Sequence, residues 1–424
     1  MSRGFGADIV VAGAGPAGIA AAVRARECGR SVLVLDDNPS AGGQIWRGEQ
    51  SHGQGSFWLR RFAGCAAKLI TSARIVDGDA QRRRLILETQ DEAFALEYGK
   101  LILAIGAREL FLPFPGWTTP NVMGIGGLQA LVKSGLRISG KRIVVAGTGP
   151  LMLAAADYFR RHNAVVPVIA EQAGWIRLAR FLLHLAKHPG KLCQAAVLRF
   201  GLRRSRYLAS CWVEAANGNE KLESVRLRQD ARVWDEDCDY LATGYGFKPN
   251  SELAELMNCR ICNTGVDVDA FQRTSQEDIY AAGECTGIGG AELAIVEGET
   301  AGYAAAGRND LAEKLFRKRS KARQFAAALE RAFAPREELR RLPSAGTIVC
   351  RCEDVVWERL ESMKSWRSAK LHTRCGMGPC QGRICGPILE FLLGLEPDSV
   401  RPPVFPARLE SLVAANEIEE GICQ

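Results

Sequence analysis

Five of the fourteen cysteines crowd into one short stretch: Cys350, Cys352, Cys375, Cys380 and Cys385. Scattered cysteines are by default small buried hydrophobes, whereas a crowd with short spacings points to metal or redox chemistry. Cys350-Arg-Cys352-Glu-Asp gives one pair with a single intervening residue. Downstream, Cys375-Gly-Met-Gly-Pro-Cys380-Gln-Gly-Arg-Ile-Cys385 offers a second pair, Cys380 and Cys385, with four residues between them. Four thiolates suit a 2Fe–2S cluster, and Cys350, Cys352, Cys380 and Cys385 are the expected ligands. A structural zinc site is the competing reading, but its pairs favour two to four intervening residues. Cys375 is then a bystander or a substitute ligand. Gly376, Gly378 and Gly382 let the backbone wrap closely on the sulfurs. Cys385 precedes Gly386-Pro387, a predicted helix start, where the dipole favours thiolate.

A second chemistry is carried by glycines. Gly13-Ala14-Gly15-Pro16-Ala17-Gly18 stands between an apolar strand and an apolar helix. There the first glycine permits the tight turn, the second lets backbone approach a pyrophosphate, and the third lets helix and strand pack closely. The helix N-terminus offers amides to the phosphates. Asp36 ends the next strand, where a carboxylate holds ribose hydroxyls. The unit recurs as Arg142-Ile-Val-Val-Ala-Gly147-Thr-Gly149-Pro-Leu-Met152, with Glu171 ending the following strand. Met152 replaces the third glycine and is expected to push helix from strand. Glu171 disfavours a 2′-phosphate, which leaves NAD, another adenine nucleotide, or a purely structural domain.

Two further segments favour FAD in the first unit. Gly42-Gly43-Gln44 resembles the diglycine near the flavin-side phosphates of two-domain flavoproteins. Asp278-Ile-Tyr-Ala-Ala-Gly283-Glu284 resembles the strand that closes FAD domains, with Glu284 in place of the aspartate that binds the ribityl chain. The expected FAD contacts are therefore Gly13, Ala14, Gly15, Pro16, Ala17, Gly18, Asp36, Asp37, Gly43, Gln44, Gly106, Gly283 and Glu284. Gly147, Gly149 and Glu171 are the candidates for a second nucleotide.

The elements that must position these groups are nested. The fold class is α/β, with two Rossmann-like dinucleotide-binding domains and a small C-terminal cysteine-rich iron–sulfur module. Residues 1–113 start a discontinuous FAD domain, 114–248 form the inserted NAD-like domain, and 249–307 return to the first. Residues 308–342 read as a basic, solvated helical linker, 343–400 as the cysteine module, and 401–424 as a tail. A chain of 424 residues with 47% apolar residues and a formal charge of +7 has ample core and no footprint for nucleic acid. The sequence contains no membrane-span-length apolar run and no signal peptide, so the expectation is a cytoplasmic protein. The basic, leucine-rich stretch Trp175–Arg206 adds possible peripheral contact with a membrane or a partner subunit. Cys259-Arg-Ile-Cys262 has redox spacing but reads as structural. No cysteine pair stands where flavin-dependent disulfide reductases carry theirs.

Taken in order, Gly-Gly-Gln-Ile-Trp46, the nested second domain, and the Cys-Arg-Cys-Glu-Asp to Gly-Met-Gly-Pro-Cys-Gln-Gly-Arg end resemble one family over nearly the whole chain. It comprises the FAD-containing alpha subunits of hydrogen cyanide synthase, opine oxidase and D-hydroxyproline dehydrogenase. The cysteine end also resembles the 2Fe–2S module of bacterioferritin-associated ferredoxin and of anaerobic glycerol-3-phosphate dehydrogenase. The resemblance implies that a separate, FAD-dependent, amino-acid-oxidase-like beta subunit oxidises an amino or imino acid. This chain would pass the electrons onward, in some relatives with a small ferredoxin-like gamma subunit. It also implies FMN at a subunit interface or an adenine nucleotide in the second domain of some relatives. The alternative is a self-sufficient NADH-dependent flavin reductase that feeds an iron–sulfur acceptor.

Overall fold

The computed structural model describes residues 7–47, 53–397 and 399–413. It divides into two units: residues 1–108, 249–326 and 399–424, and residues 109–248 and 327–398.

In the first unit the strands Ala7–Ala12 and Val32–Leu35 are apolar almost throughout and pair in parallel, because both faces of the sheet are covered. The long strand Ala93–Leu103 lies on the other side of Ala7–Ala12, with Val11 opposite Ile102. Its first half turns antiparallel to Arg84–Glu88, which pairs in turn with Arg74–Asp79. The returning strand Ile279–Ala281 docks in parallel on its second half, with Ile279 opposite Leu101. The first domain is thus discontinuous, as the sequence suggests.

The helix Pro16–Glu27 is alanine-rich and mostly buried, so neighbours can approach its backbone. The helix Gly290–Ala305 does so: a Cβ on Gly298 would lie 2.1 Å from the Ala17 carbonyl oxygen, and one on Gly302 2.4 Å from that of Ala21.

The second unit holds five parallel strands in the order Arg206–Ala209, Val168–Glu171, Ile143–Gly147, Tyr240–Gly244 and Val122–Gly124. An antiparallel meander, Cys211–Asn217, Ser224–Gln229 and Arg232–Asp237, packs into the same core. The cysteine-rich stretch folds as the hairpin Ile348–Cys350/Val355–Val356 and the helices Trp366–Thr373 and Cys385–Leu393.

Several boundaries differ from the sequence reading. Glu109 already belongs to the second unit, where its carboxylate accepts the amides of Gly126 and Gly127 at 2.8 and 3.2 Å. The expected linker is no free connector: its helix Phe316–Phe333 begins in one unit and ends in the other. Nor is it merely solvated. Arg319 is buried and donates to the Ala270 carbonyl and Gln272, while Arg323 clasps Glu297. The cysteine stretch is not a separate body, because Val349, Leu360, Trp366 and Ile388 join the core under the second unit's sheet. The described part of the tail belongs to the first unit through Val404 on Val76 and Arg408 on Glu88; residues 414–424 lie outside the described residues.

Candidate functional site

The glycine loop of the first unit separates glycines needed for packing from one that packing does not need. Gly13 has φ +105°, and a Cβ there would meet the Ala104 oxygen at 2.3 Å; a Cβ on Gly18 would meet the Gly13 oxygen at 1.8 Å. Gly15 has an ordinary φ of −78°, and its Cβ would find only the Gly43 Cα, at 4.0 Å. The protein therefore tolerates a side chain at Gly15, and the space in front of it is available to a ligand. Gly43, at φ +57°, would collide with Gly15 at 2.9 Å, so the diglycine turn lies against this loop. The helix starts with Pro16 and has no acidic residue in its first turn, which leaves its positive end open to an anion.

Asp36 is buried at the end of its strand. Its Oδ2 accepts the Ala14 amide at 2.6 Å, and its Oδ1 accepts the Asn38 amide and side chain, both at 2.7 Å. Its Oδ2 has a further lone pair for a ribose hydroxyl. Asp37 is instead exposed, pairs with Arg74 at 3.2 Å and borders an open cleft with Ser72, Thr89 and Gln90. Gln44 lies in the short helix Gly43–Trp46, whose Trp46 is buried. Gly106, at φ +65°, presents its carbonyl to the Asn250 amide.

At the closing turn Gly283 has φ +81° and donates its amide to Glu297. Burial pushes the Glu284 carboxyl upward, opposed by a hydrogen bond from the Gly290 amide. Glu297 is a positioning residue that the sequence reading does not find. It is 1% exposed and also accepts from Thr286 and Arg323. The signal is present as an acid inside the apolar run Ala294-Ile-Val-Glu297.

The second glycine loop is built differently. Gly147 is required by packing, since a Cβ would lie 1.8 Å from the Gly244 oxygen. Met152 is fully buried in the core with Phe159 and Ala156. Glu171 is committed internally, accepting from the Ala173 amide (2.7 Å), the Gly149 amide (2.8 Å) and the Thr148 hydroxyl (2.9 Å). The chain's own residues 333–336 lie over these groups. The Thr148 hydroxyl oxygen also lies 3.1 Å from the Phe333 carbonyl, Gln172 donates to the carbonyls of Phe333 and Ala334, Arg177 to that of Ala334, and the Arg336 amide returns to Gln172.

Burial pushes the Glu171 carboxyl up to about 7, against the hydrogen bonds it accepts. A carboxyl raised in the folded state contributes stability that is fully present below about 4.5 and lost as pH rises through about 7. That shift corresponds to about 3 kcal/mol. We expect the unfolding free energy of Glu171→Gln relative to the parent to rise by up to ~3 kcal/mol between pH 4.5 and 8, as read by urea titration. A pH-independent difference would refute the assignment.

The five clustered cysteines converge. The sulfurs of Cys350, Cys375 and Cys385 lie within 4.8 Å of one another, all buried. Cys352 and Cys380 contact each other nearer the surface. Cys350 is drawn toward thiolate by hydrogen bonds from the Cys375 and Cys385 thiols and, more weakly, by the amides of Gly376 and Glu353. Cys375 is pushed up to about 12, chiefly by its contact with Cys350. Of the three glycines only Gly378 would press a Cβ on a cysteine, striking the Cys352 Cβ at 2.3 Å; Gly376 and Gly382 are instead held by the Trp366 ring, which their Cβ atoms would meet at 2.6 and 3.0 Å. Spacing alone leaves Cys375 outside the expected set; the fold places it beside the two most buried candidates.

A family model described as pyridine nucleotide-disulphide oxidoreductase matches residues 7–304, well over half of the chain. The chain belongs to this family. Hydrogen cyanide synthase subunit HcnB of Pseudomonas aeruginosa is 30% identical, over 89% of this chain and 90% of the relative. An opine oxidase subunit of Rhizobium meliloti is 30% identical, over 95% and 97%. Among solved structures, L-proline dehydrogenase from P. horikoshii shares the fold with a TM-score of 0.71 at 16% identity, covering 96% of this chain and 79% of that one. Thioredoxin reductase of T. acidophilum, at 0.56 and 21%, covers 71% of this chain and 98% of that one.

The described cysteines of this pyridine nucleotide-disulphide oxidoreductase are all free. No cysteine follows Gly43 until Cys65. Cys259 is buried against Thr274, while Cys262 is exposed and bonded to Thr264 and Gly265 in a small hairpin. The convergent thiols of this member are gathered instead in its C-terminal stretch.

Proposed function

We propose that the chain is the electron-transfer (alpha) subunit of a multisubunit amino- or imino-acid dehydrogenase of the D-hydroxyproline, opine or glycine type. FAD would occupy the N-terminal glycine loop, and a 2Fe–2S cluster would be held by Cys350, Cys352, Cys380 and Cys385. The observation that carries the reading is one chain with an open Gly15 loop and converged thiols, whose second glycine loop has its own residues 333–336 bonded beside it. Two relatives are themselves named as subunits, of hydrogen cyanide synthase and of opine oxidase.

The residues fit both groups. The Gly15 loop and the start of the helix Pro16–Glu27 would hold the pyrophosphate, Asp36 the adenosine ribose, and Glu284 the polyol, with Glu297 fixing the turn. Cys350 with Cys385, and Cys352 with Cys380, supply the two-plus-two thiols that a 2Fe–2S cluster takes. Together such groups join two-electron to one-electron chemistry. Substrate oxidation is assigned to an amino-acid-oxidase-like beta subunit, with a ferredoxin-like gamma subunit or interfacial FMN as further members. Among the described residues no helix is long and apolar enough to cross a membrane.

The experiment is anaerobic mixing of the purified full chain with D-hydroxyproline, an opine, glycine or NADH. The flavin band should stay oxidised with each, and adding the beta subunit with its amino acid should bleach it. Rapid bleaching by NADH would establish the reductase alternative; bleaching of the lone chain by an amino acid would place the active site here.

A further inference from the structure

The second unit carries two neighbouring helices with an apolar face that no described part of the chain covers. In Trp175–Leu185 the inward face is Leu178, Phe181 and Leu185, all buried. A second stripe, Trp175, Ile176, Leu182 and Leu183, repeats at seven-residue spacing and points to solvent; Ile176 is 72% and Leu183 74% exposed. After the break at His188, the helix Pro189–Gly201 buries no residue at all. Its Leu192, Val197 and Phe200 are all exposed, Val197 at 61% and Phe200 at 70%. Isolated exposed apolar residues are ordinary, but two adjacent exposed sets mark a contact surface.

Charge identifies the occupant. Between Glu171 and Glu214 the sequence has no acidic residue and eight basic ones. These eight exceed the net charge of the whole chain, +7, so the remainder is near neutral. Arg206 pairs with Glu236, and Arg177 and Arg199 donate to carbonyls. On the first helix, Arg177 and Arg180 flank the apolar stripe rather than interrupt it. Leu, Ile and Val make up most of the two apolar sets, six arginines and two lysines border them without a single carboxylate, and Trp175 stands at the edge where an indole sits at headgroup level. Helices of 11 and 13 residues are too short to span a bilayer and suit its surface.

We propose that the helices Trp175–Leu185 and Pro189–Gly201 dock this chain in the plane of an anionic lipid surface. The apolar side chains enter the headgroup boundary and the cations meet lipid phosphates. This goes beyond the electron-transfer reading and does not depend on it.

The test is sedimentation of the full, cofactor-loaded chain with vesicles of phosphatidylcholine alone or mixed with phosphatidylglycerol. Binding should require the anionic lipid and weaken as salt rises. Arg180→Glu combined with Arg204→Glu should lower it at least about tenfold. Leu183→Ser with Phe200→Ser should abolish it, while flavin absorbance and melting temperature stay at parental values. Equal binding to neutral vesicles, or none to anionic ones, would overturn the proposal. So would displacement from vesicles by the beta subunit, or self-association without lipid that Leu183→Ser removes, since either gives the face to a protein.

Discussion

Gly15→Ala should give a folded protein that has lost most of its flavin, and Gly15→Leu a colourless one. The expectation rests on the contrast within a single loop. At Gly15 a methyl group meets nothing of the protein closer than 4.0 Å, and the backbone conformation suits any residue. At Gly18 the same methyl would stand 1.8 Å from a backbone oxygen. Gly18→Ala should therefore lower the melting temperature and yield, whereas Gly15→Ala should leave the melting temperature of flavin-free protein unchanged. The added methyl intrudes only on the ligand, and overpacking of this kind costs roughly 1–3 kcal/mol, about 10–100-fold in retention. Flavin fluorescence released from equal masses of parent and variant measures it. A Gly15→Leu protein with full flavin absorbance would remove the first unit as the FAD site.

The second large effect concerns the thiols. Cys350→Ser and Cys385→Ser should each eliminate iron and acid-labile sulfide from anaerobically purified protein, because both belong to the buried group of three and to the paired set. Cys352→Ser and Cys380→Ser should do the same, since their contact supplies the second pair. Cys375→Ser should keep the cluster while weakening it about tenfold, as expected for a neighbour that hydrogen-bonds a ligand. The measurements are metal and sulfide content and the electron paramagnetic resonance of the reduced protein. Loss of the cluster in Cys375→Ser with retention in Cys352→Ser would move Cys375 into the ligand set. Zinc without sulfide would replace the cluster by a structural metal.

Much of this arrangement is legible locally. A glycine loop between an apolar strand and an apolar helix needs no distant partner to be recognised, and both loops are where the pattern puts them. The returning strand Ile279–Ala281 is readable because its apolar run into Gly283-Glu284 resembles the strand that closes FAD domains. What stays hidden depends on contacts between residues far apart. Gln172 meets Phe333 and Ala334 across 161 and 162 residues of sequence, so nothing near Gly149 betrays that this distant segment lies beside it. The basic helix from Phe316 reads as solvated because the acceptors of Arg319 and Arg323 are supplied by Ala270, Gln272 and Glu297. Cys375 escapes a reading by spacing, which favours neat pairs, whereas convergence depends on how Trp366 props the Gly376 and Gly382 turns. Met152, too large for its place by pattern, is fully buried with Phe159 and Ala156, neighbours that spacing near the glycines does not announce.

The contact of Gly298 and Gly302 with Ala17 and Ala21 bears on how a cofactor is received. One of the two helices begins at the Gly13–Gly18 loop; the other follows closely on the Gly283–Glu284 turn. Backbone pressed on backbone leaves no side chain free to rotate between them, so the glycine loop and the Gly283–Glu284 turn are expected to keep their separation with or without a bound dinucleotide. A dinucleotide then meets a rigid mould and little conformational entropy is lost from the protein on binding. Stripped protein should accept FAD again in one fast phase, without a refolding lag. Widening that seam by a single methyl would convert the mould into a hinge.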